Sequence, residues 1–346
     1  MPVIFFTGFP GFLGAELLPR LLRRSPDMRA RCLVQPKFAA LARTRAAGNP
    51  RIEIVEGDIT SPLEIPTDDI VEIYHLAAIY DLMVQRDFGM RVNVDGTRHV
   101  LDFAERCRSL RRFQYISTCY VSGRYDGTFT ELDLEKGQTF NNYYEETKYL
   151  AEVDVQKRMR GGLPATIYRP SVVVGDSRTG ETQKYDGPYF VMQWLLRQPR
   201  LAFLPMAGNA KRHRFNVVPR DFFVSAIEHL SVLPHSLGKV YQLADPDPLT
   251  VDETVNAVAQ ATGRTVIRIP LTRGIAKFSL DHVPGVYRLM RIPSAAVDYF
   301  VHPTLYDTTN AQADLGALKI PRFRDYLPRL VDFVRAHPEI GSAAMA

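Results

Sequence analysis

Thr7-Gly8-Phe9-Pro10-Gly11-Phe12-Leu13-Gly14 is the stretch that decides the fold. It follows the apolar run Val3–Thr7 and opens Gly14–Arg24, where Leu13, Leu17, Leu18 and Leu21 share one helical face. A buried strand, a glycine turn and a helix in that order form a place for a pyrophosphate. Small residues let the turn close, and backbone N–H groups meet the phosphates at the helix N-terminus. The spacing is GxxGxxG, not GxGxxG. A tight turn packed under a helix would ask for the same glycines. The strand before and the helix after favour the dinucleotide.

The same rhythm continues outward. Apolar runs at 30–34, 52–55, 70–76, 113–117 and 165–168 read as strands. Amphipathic stretches at 38–47, 92–106 and 145–160 read as helices between them. That alternation predicts βαβ crossovers and an α/β, Rossmann-type doubly wound parallel sheet covered on both faces. After Pro170 the rhythm breaks, and 175–215 is rich in Gly, Pro and aromatic residues without a clean period. A helix at 221–233 and a strand at 239–244 return. Thr250-Val251-Asp252-Glu253 is a capping-box pattern opening a further helix. The expectation is an NAD(P)-binding domain of residues 1–174 plus 217–245, and a smaller substrate-binding lobe of 175–216 plus 246–346.

The chain's 346 residues are 46% hydrophobic and 23% charged, a globular balance that excludes disordered and low-complexity readings. A formal net charge of +5 suits anionic ligands and is too mild to argue for nucleic acid. Cys32, Cys107 and Cys119 are odd in number and none pairs at zinc-ligand spacing, so neither disulfide nor metal is expected. No stretch approaches the roughly 18 uncharged apolar residues of a membrane span. No basic leader precedes the first apolar run, and the expectation is a cytoplasmic monomer or homodimer.

The end of the second strand reads Val34-Gln35-Pro36-Lys37. No acid stands where an NAD-binding fold places its ribose-binding carboxylate. Lys37, Arg43 and Arg45 are close by in sequence, so a 2′-phosphate meets attraction rather than repulsion, and NADP(H) is expected over NAD(H). The arginines read equally as a solvated helix face. Asp58, in Gly57-Asp58-Ile59, reads as an acceptor for the adenine amino group or as a turn-forming aspartate.

Tyr144 and Lys148 stand at i,i+4 near the start of a helix and so share a face. A free phenol has a pKa of about 10. An ammonium nearby favours the phenolate, so the tyrosine can pass a proton to or from a substrate oxygen. Thr118, in Tyr115-Ile116-Ser117-Thr118-Cys119-Tyr120, lies at the C-terminal end of a parallel strand, where hydroxyls face the crevice. It is placed to hold the reacting oxygen. Ser117 and Thr118 read equally as local caps of backbone groups.

Together these motifs resemble the extended short-chain dehydrogenase/reductase superfamily. The carrying residues are Thr7–Gly14, Gly57-Asp58, His75-Leu76-Ala77-Ala78, Asn93-Val94-Asp95-Gly96-Thr97, Ser117-Thr118, Tyr144 with Lys148, and Arg169-Pro170-Ser171. The wording is most similar to the fatty acyl-CoA reductase and thioester reductase, or male-sterility-like, branch. The resemblance implies Tyr144 as general acid/base, Lys148 as ribose ligand and tuner of Tyr144, and Thr118 as the third catalytic residue. It implies a cofactor site of Gly8, Phe9, Gly11, Phe12, Leu13, Gly14, Lys37, Arg43, Asp58, Ile59, Ala77, Ala78, Lys148, Pro170 and Val173. The chain departs from the branch at Gln35, where arginine is common, and at Val218-Pro219-Arg220-Asp221.

The implied activity is NADPH-dependent reduction of a carbonyl or acyl thioester on a hydrophobic, fatty-acyl-like substrate, free or linked to CoA or a carrier protein. A sterol-type alcohol dehydrogenase, a nucleotide-sugar epimerase or reductase, and a non-catalytic cofactor-binding sensor are the alternatives. Cys119 reads as a packed thiol rather than a nucleophile, and His75 as a positioning residue. The basic run Lys211-Arg212-His213-Arg214 reads as a phosphate grip or a solvated loop. The aromatic stretch 275–306 reads as a pocket wall or plain core.

Overall fold

The computed structural model describes residues 1–341; the last five residues of the expected lobe, 342–346, lie outside the described residues. Seven strands form the central sheet: β1 (Val3–Thr7), β2 (Arg29–Val34), β3 (Ile52–Glu56), β4 (Ile70–His75), β5 (Arg112–Ile116), β6 (Ala165–Pro170) and β7 (Val240–Leu243). Their order is β7-β6-β5-β4-β1-β2-β3, and every pairing is parallel. The winding reverses between β1 and β4, which opens a crevice at their carboxyl ends.

The period of two along β1 builds both cores. Ile4 and Phe6 join the helices Gly14–Arg24 and Arg220–Leu230 on one face, through Leu17, Leu18, Leu21, Phe223 and Ile227. Val3 and Phe5 join Gly96–Arg106 and Tyr143–Arg160 on the other, through Val100, Phe103, Ala151 and Val155. A sheet buried on both faces needs such uniformly apolar strands, and all five residues of β1 are buried.

Three features differ from the sequence reading. The helix read from 92 begins at Arg86 and passes through a π-helical segment, Met90–Asp95, before Gly96–Arg106. In that wide turn Asn93 accepts from the Ile79 N–H at 2.9 Å and donates to Thr147 at 3.0 Å, which joins two helices and a loop. Val217–Pro219 pairs with Val172–Val174 rather than with the central sheet. Leu201–Ala207 and Thr265–Leu271 form a separate parallel pair. Leu201–Ala207 is apolar on both faces while only alternate residues are buried, so no period of two marks it.

Helices Pro188–Leu196, Val251–Thr262 and Phe323–Ala336 pack against that pair in a second core with Trp194, Val258 and Leu330. The capping box at Thr250 and Glu253 is formed in both directions. Among the described residues no helix is long and apolar enough to cross a membrane.

Candidate active site

The glycine turn rests directly on the end of β4. Gly8 has φ +91°, and a Cβ there would meet the Leu76 Cβ at 2.8 Å and the Ala77 N at 2.9 Å. A Cβ on Gly14 would stand 2.5 Å from the Gly8 carbonyl oxygen, and Gly11 N–H donates to that same oxygen at 2.9 Å. No side chain caps the helix that starts at Gly14. The cradle thus fits a pyrophosphate, because any larger residue at Gly8 or Gly14 closes it.

A cleft of about 420 Å³ runs from this turn along the sheet ends. Gly8, Phe9, Gly11, Phe12, Leu13, Gly14, Lys37, Asp58, Ile59, Ala77, Ala78, Pro170 and Val173 line it, together with Thr118, Tyr144 and Lys148. Arg43 does not. It pairs with Glu56 at 2.5 Å on the exposed face. Arg45, in the same helix (Pro36–Ala46), is also outside the cleft lining but touches the turn, donating to the Pro10 carbonyl at 2.7 Å. Two residues of helix rotate a side chain by about 200°, so only one of the pair can face the turn.

Gln35 donates to Asp58 Oδ2 at 2.7 Å, and Asp58 Oδ1 accepts from the Thr60 N–H at 2.9 Å. Asp58 therefore closes its own turn and lines the cleft at once, held there by the side chain at the end of β2.

Lys148 is buried, and its ammonium donates to Ile116 O at 2.7 Å and Tyr115 Oη at 3.0 Å. Burial pushes its pKa down to about 7, against the carboxylate of Glu152. Its hydrogen bonds thus go to Tyr115 and Ile116, and none goes to the Tyr144 hydroxyl. Burial holds the Tyr144 phenol above its ordinary pKa, the Thr118 hydroxyl opposes that rise, and Glu145 and Asp186 add to it.

Thr118 also accepts from the Tyr120 N–H at 3.2 Å, so it caps a short turn while lining the cleft. Ser117 is committed elsewhere, donating to Glu152. Cys119 is fully buried, donates to Arg169 O at 3.0 Å and has its pKa raised by burial, so it presents no thiolate.

The hydrogen bonds around His75 fix its tautomer. Ala77 N–H donates to Thr7 Oγ1 at 3.1 Å, so the Thr7 hydroxyl hydrogen is free for His75 Nδ1 at 2.8 Å. Thr97 donates to Asn93 O at 2.6 Å and therefore accepts from His75 Nε2–H at 3.0 Å. Burial, with Lys148 adding, pushes the imidazole down to about 3. The neutral ring ties β1, β4 and the helix Gly96–Arg106 together under the turn.

Residues that no motif spacing marked also line the cleft beside Tyr144: Tyr80 from the loop after β4, Gln183, Lys184 and Asp186 from the irregular insert, and Tyr299. Of 275–306, Tyr299 alone reaches the cleft, while Ile275, Phe278, Tyr287 and Leu289 are exposed. The basic run lies apart from the cleft: Arg212 pairs with Asp126 at 3.1 Å and Arg214 with Asp247 at 3.1 Å. Arg214 lines a second cavity of about 200 Å³, which shares Tyr120 with the cleft.

A family model described as male sterility protein matches residues 6–227. The nonribosomal peptide synthetase asaC of Aspergillus flavus is 26% identical over 71% of this chain and 26% of its own length. The chain thus spans about a quarter of that synthetase. A 3-beta-hydroxysteroid dehydrogenase of Mycolicibacterium neoaurum is 30% identical over 90% of this chain and 86% of its own. Among solved structures, the terminal R domain of the myxalamid PKS-NRPS biosynthetic pathway matches with a TM-score of 0.83 at 26% identity, covering 99% of this chain and 92% of that one.

Proposed function

The chain belongs to the male sterility protein family, a branch of the extended short-chain dehydrogenase/reductases and so NAD(P)-dependent oxidoreductases, and from that premise we propose that it uses NADPH to reduce a carbonyl or acyl thioester of a hydrophobic substrate carried by a partner protein or CoA. The observation that carries this reading is the meeting of Thr118, Tyr144 and Lys148 with the glycine turn on one cleft.

The glycine turn holds the pyrophosphate, and Lys37, just past the end of β2, lines the cleft on the side where a 2′-phosphate would lie. When bound, the dinucleotide supplies the hydride. Lys148 keeps one of its three N–H groups beyond those given to Ile116 and Tyr115, and offers it to a ribose hydroxyl. Tyr144 passes its phenol proton to the substrate oxygen as the carbonyl carbon is reduced. Thr118 donates a hydrogen bond to the same oxygen as charge develops there. The peptide synthetase relative and the R-domain structure support a carrier-linked thioester.

The steroid dehydrogenase, which this chain covers nearly end to end, favours a second reading: oxidation of a sterol-type alcohol on the same residues. Absorbance of the nicotinamide separates the two. The purified protein is given NADPH with octanoyl-pantetheine or octanal, and NADP⁺ with a 3β-hydroxysterol. Turnover of the thioester or aldehyde supports the first reading, and turnover of the sterol alone replaces it.

The cofactor reading has its own test. Exchanging Lys37 for alanine is expected to weaken NADPH binding about tenfold or more, the worth of a charge-assisted bond to a phosphate. NADH binding should hardly change. Equal losses for both cofactors, or a parent that prefers NADH, would remove the argument for a 2′-phosphate site.

A further inference from the structure

Two cavities meet at one side chain. Among the described residues, Tyr120 alone lines both the cleft and the second cavity of about 200 Å³. Its N–H donates to Thr118 Oγ1 at 3.2 Å and so opens a short turn, Cys119–Ser122, just past the end of β5. The backbone of Tyr120 is thereby tied to the residue that holds the reacting oxygen. The side chain is buried, and three rings brace it. Tyr299 stands edge-on at 4.5 Å and 66°, His302 at 5.0 Å, and Tyr306 at 6.4 Å between centroids. Edge-to-face and tilted contacts of this kind hold a ring in one orientation.

The spaces on its two sides differ in chemistry. On the cleft side, Tyr80, Tyr144 and Tyr299 share the lining with Tyr120. On the other side the walls are Arg214, Asn216, Asp245, His302 and Tyr306. His302 Nε2 meets the Tyr306 hydroxyl at 2.8 Å, while its Nδ1 is buried without a partner among the described residues. Arg214 pairs with Asp247 at 3.1 Å, and the Asp245 carboxylate accepts from the Asp247 N–H at 3.0 Å. An alkyl end pushed into such a space would strip water from polar groups and return no hydrogen bond.

We propose that Tyr120 is a specificity-determining residue: its ring closes the acyl end of the cleft, sets the length of chain that is reduced, and shuts the polar cavity off. The inference rests on the reductase reading. A carbonyl held between Thr118 and Tyr144 starts its chain two residues from Tyr120, while the dinucleotide takes the side of the glycine turn. The chain then runs along the aromatic wall and stops at the Tyr120 ring. A small side chain in its place opens the wall, and the polar groups beyond meet the end of a longer chain.

The test is NADPH-driven kcat/KM over alkanals, or acyl-pantetheines, of six to fourteen carbons and their ω-hydroxy counterparts. The proteins are the parent, Tyr120→Phe, Tyr120→Leu and Tyr120→Ala. Ratios between substrates are taken within each protein, so that a general loss of activity cancels. In the parent, kcat/KM should rise with each buried methylene by up to about fourfold, then drop at a limiting length. Tyr120→Phe keeps the ring and should keep that limit. Tyr120→Leu and Tyr120→Ala should move it about two carbons or more upward, since an aromatic ring covers the area of several methylenes. At the new limit the ω-hydroxy chain should gain about fivefold over the plain one, the worth of one hydrogen bond. If the alanine variant does not fold, Tyr120→Leu, which keeps apolar bulk against Tyr299, decides the matter. A purely structural role would lower kcat/KM by one factor at every length. A moved limit without the hydroxyl gain would overturn the part given to the polar cavity. A parent with no length limit in this range, or an unmoved limit in the folded variants, overturns this inference alone. No turnover of any of these probes by the parent overturns the reductase reading and the inference with it.

Discussion

Tyr144→Phe is expected to lower turnover by about 10²–10⁴-fold, the span of general acid catalysis, with NADPH affinity and thermal midpoint close to the parent. The substitution removes one oxygen from a buried ring and keeps the edge-to-face packing on Tyr80. Cofactor contacts are spared for a reason peculiar to this site: Lys148 is held by Tyr115 and Ile116, so its ammonium does not move when the Tyr144 hydroxyl goes. Lys148→Ala makes the contrast. It leaves Tyr115 and the Ile116 carbonyl without their donor and takes away the ribose ligand, so NADPH affinity and turnover should fall together. The decisive pair of measurements is kcat and the NADPH dissociation constant for both variants. If Tyr144→Phe turns over within a few-fold of the parent, far short of that range, the proton comes from another group.

Local order explains which parts of this site were legible in the sequence. The turn at Gly8, Gly11 and Gly14 was readable because it combines a steric demand with a strand and a helix directly beside it. Tyr144 and Lys148 were readable as neighbours because helix geometry makes i and i+4 adjacent. What could not be read depends on register or rotation. Tyr115 reaches Lys148 across 33 residues because β5 ends beside the helix Tyr143–Arg160. Gln35 meets Asp58 only because β2 and β3 are paired in one register.

Arg43 and Arg45 differ by a helix rotation that a helix of such weak amphipathicity does not announce. The chain beyond Pro170 was the least legible. Its strand Leu201–Ala207 is apolar on both phases, and its longest closing helix carries Pro328 inside it. Asp186 lies in an irregular segment where no period links it to Tyr80, although the folded chain brings both to the lining of one cleft.

Arg169→Met is expected to destabilise the protein by about 3–5 kcal/mol, because it leaves Glu152 as a buried charge without its partner. Arg169 and Glu152 are both fully buried, 2.7 Å apart at the closest bond. Arg169 also donates to Asp133 O at 2.7 Å, while Ser117 and Gln156 donate to Glu152. The pair stands beneath the ends of β5 and β6, next to the residues that put Thr118 and Pro170 into the cleft.

The double variant Arg169→Met with Glu152→Leu removes both charges and should recover much of the loss, since an apolar pair of similar volume is often as stable as the ions it replaces. Urea unfolding of the parent, the two single variants and the double variant closes the cycle and isolates the pairwise coupling. Turnover adds a second readout. The single variant should lose activity through displacement of Thr118, and the double should regain stability without regaining all of its rate, because Ser117 loses its acceptor in Glu152 and is free to compete for the space beside Thr118. A single variant as stable as the parent would show that the buried pair neither holds these strand ends nor shapes the cleft.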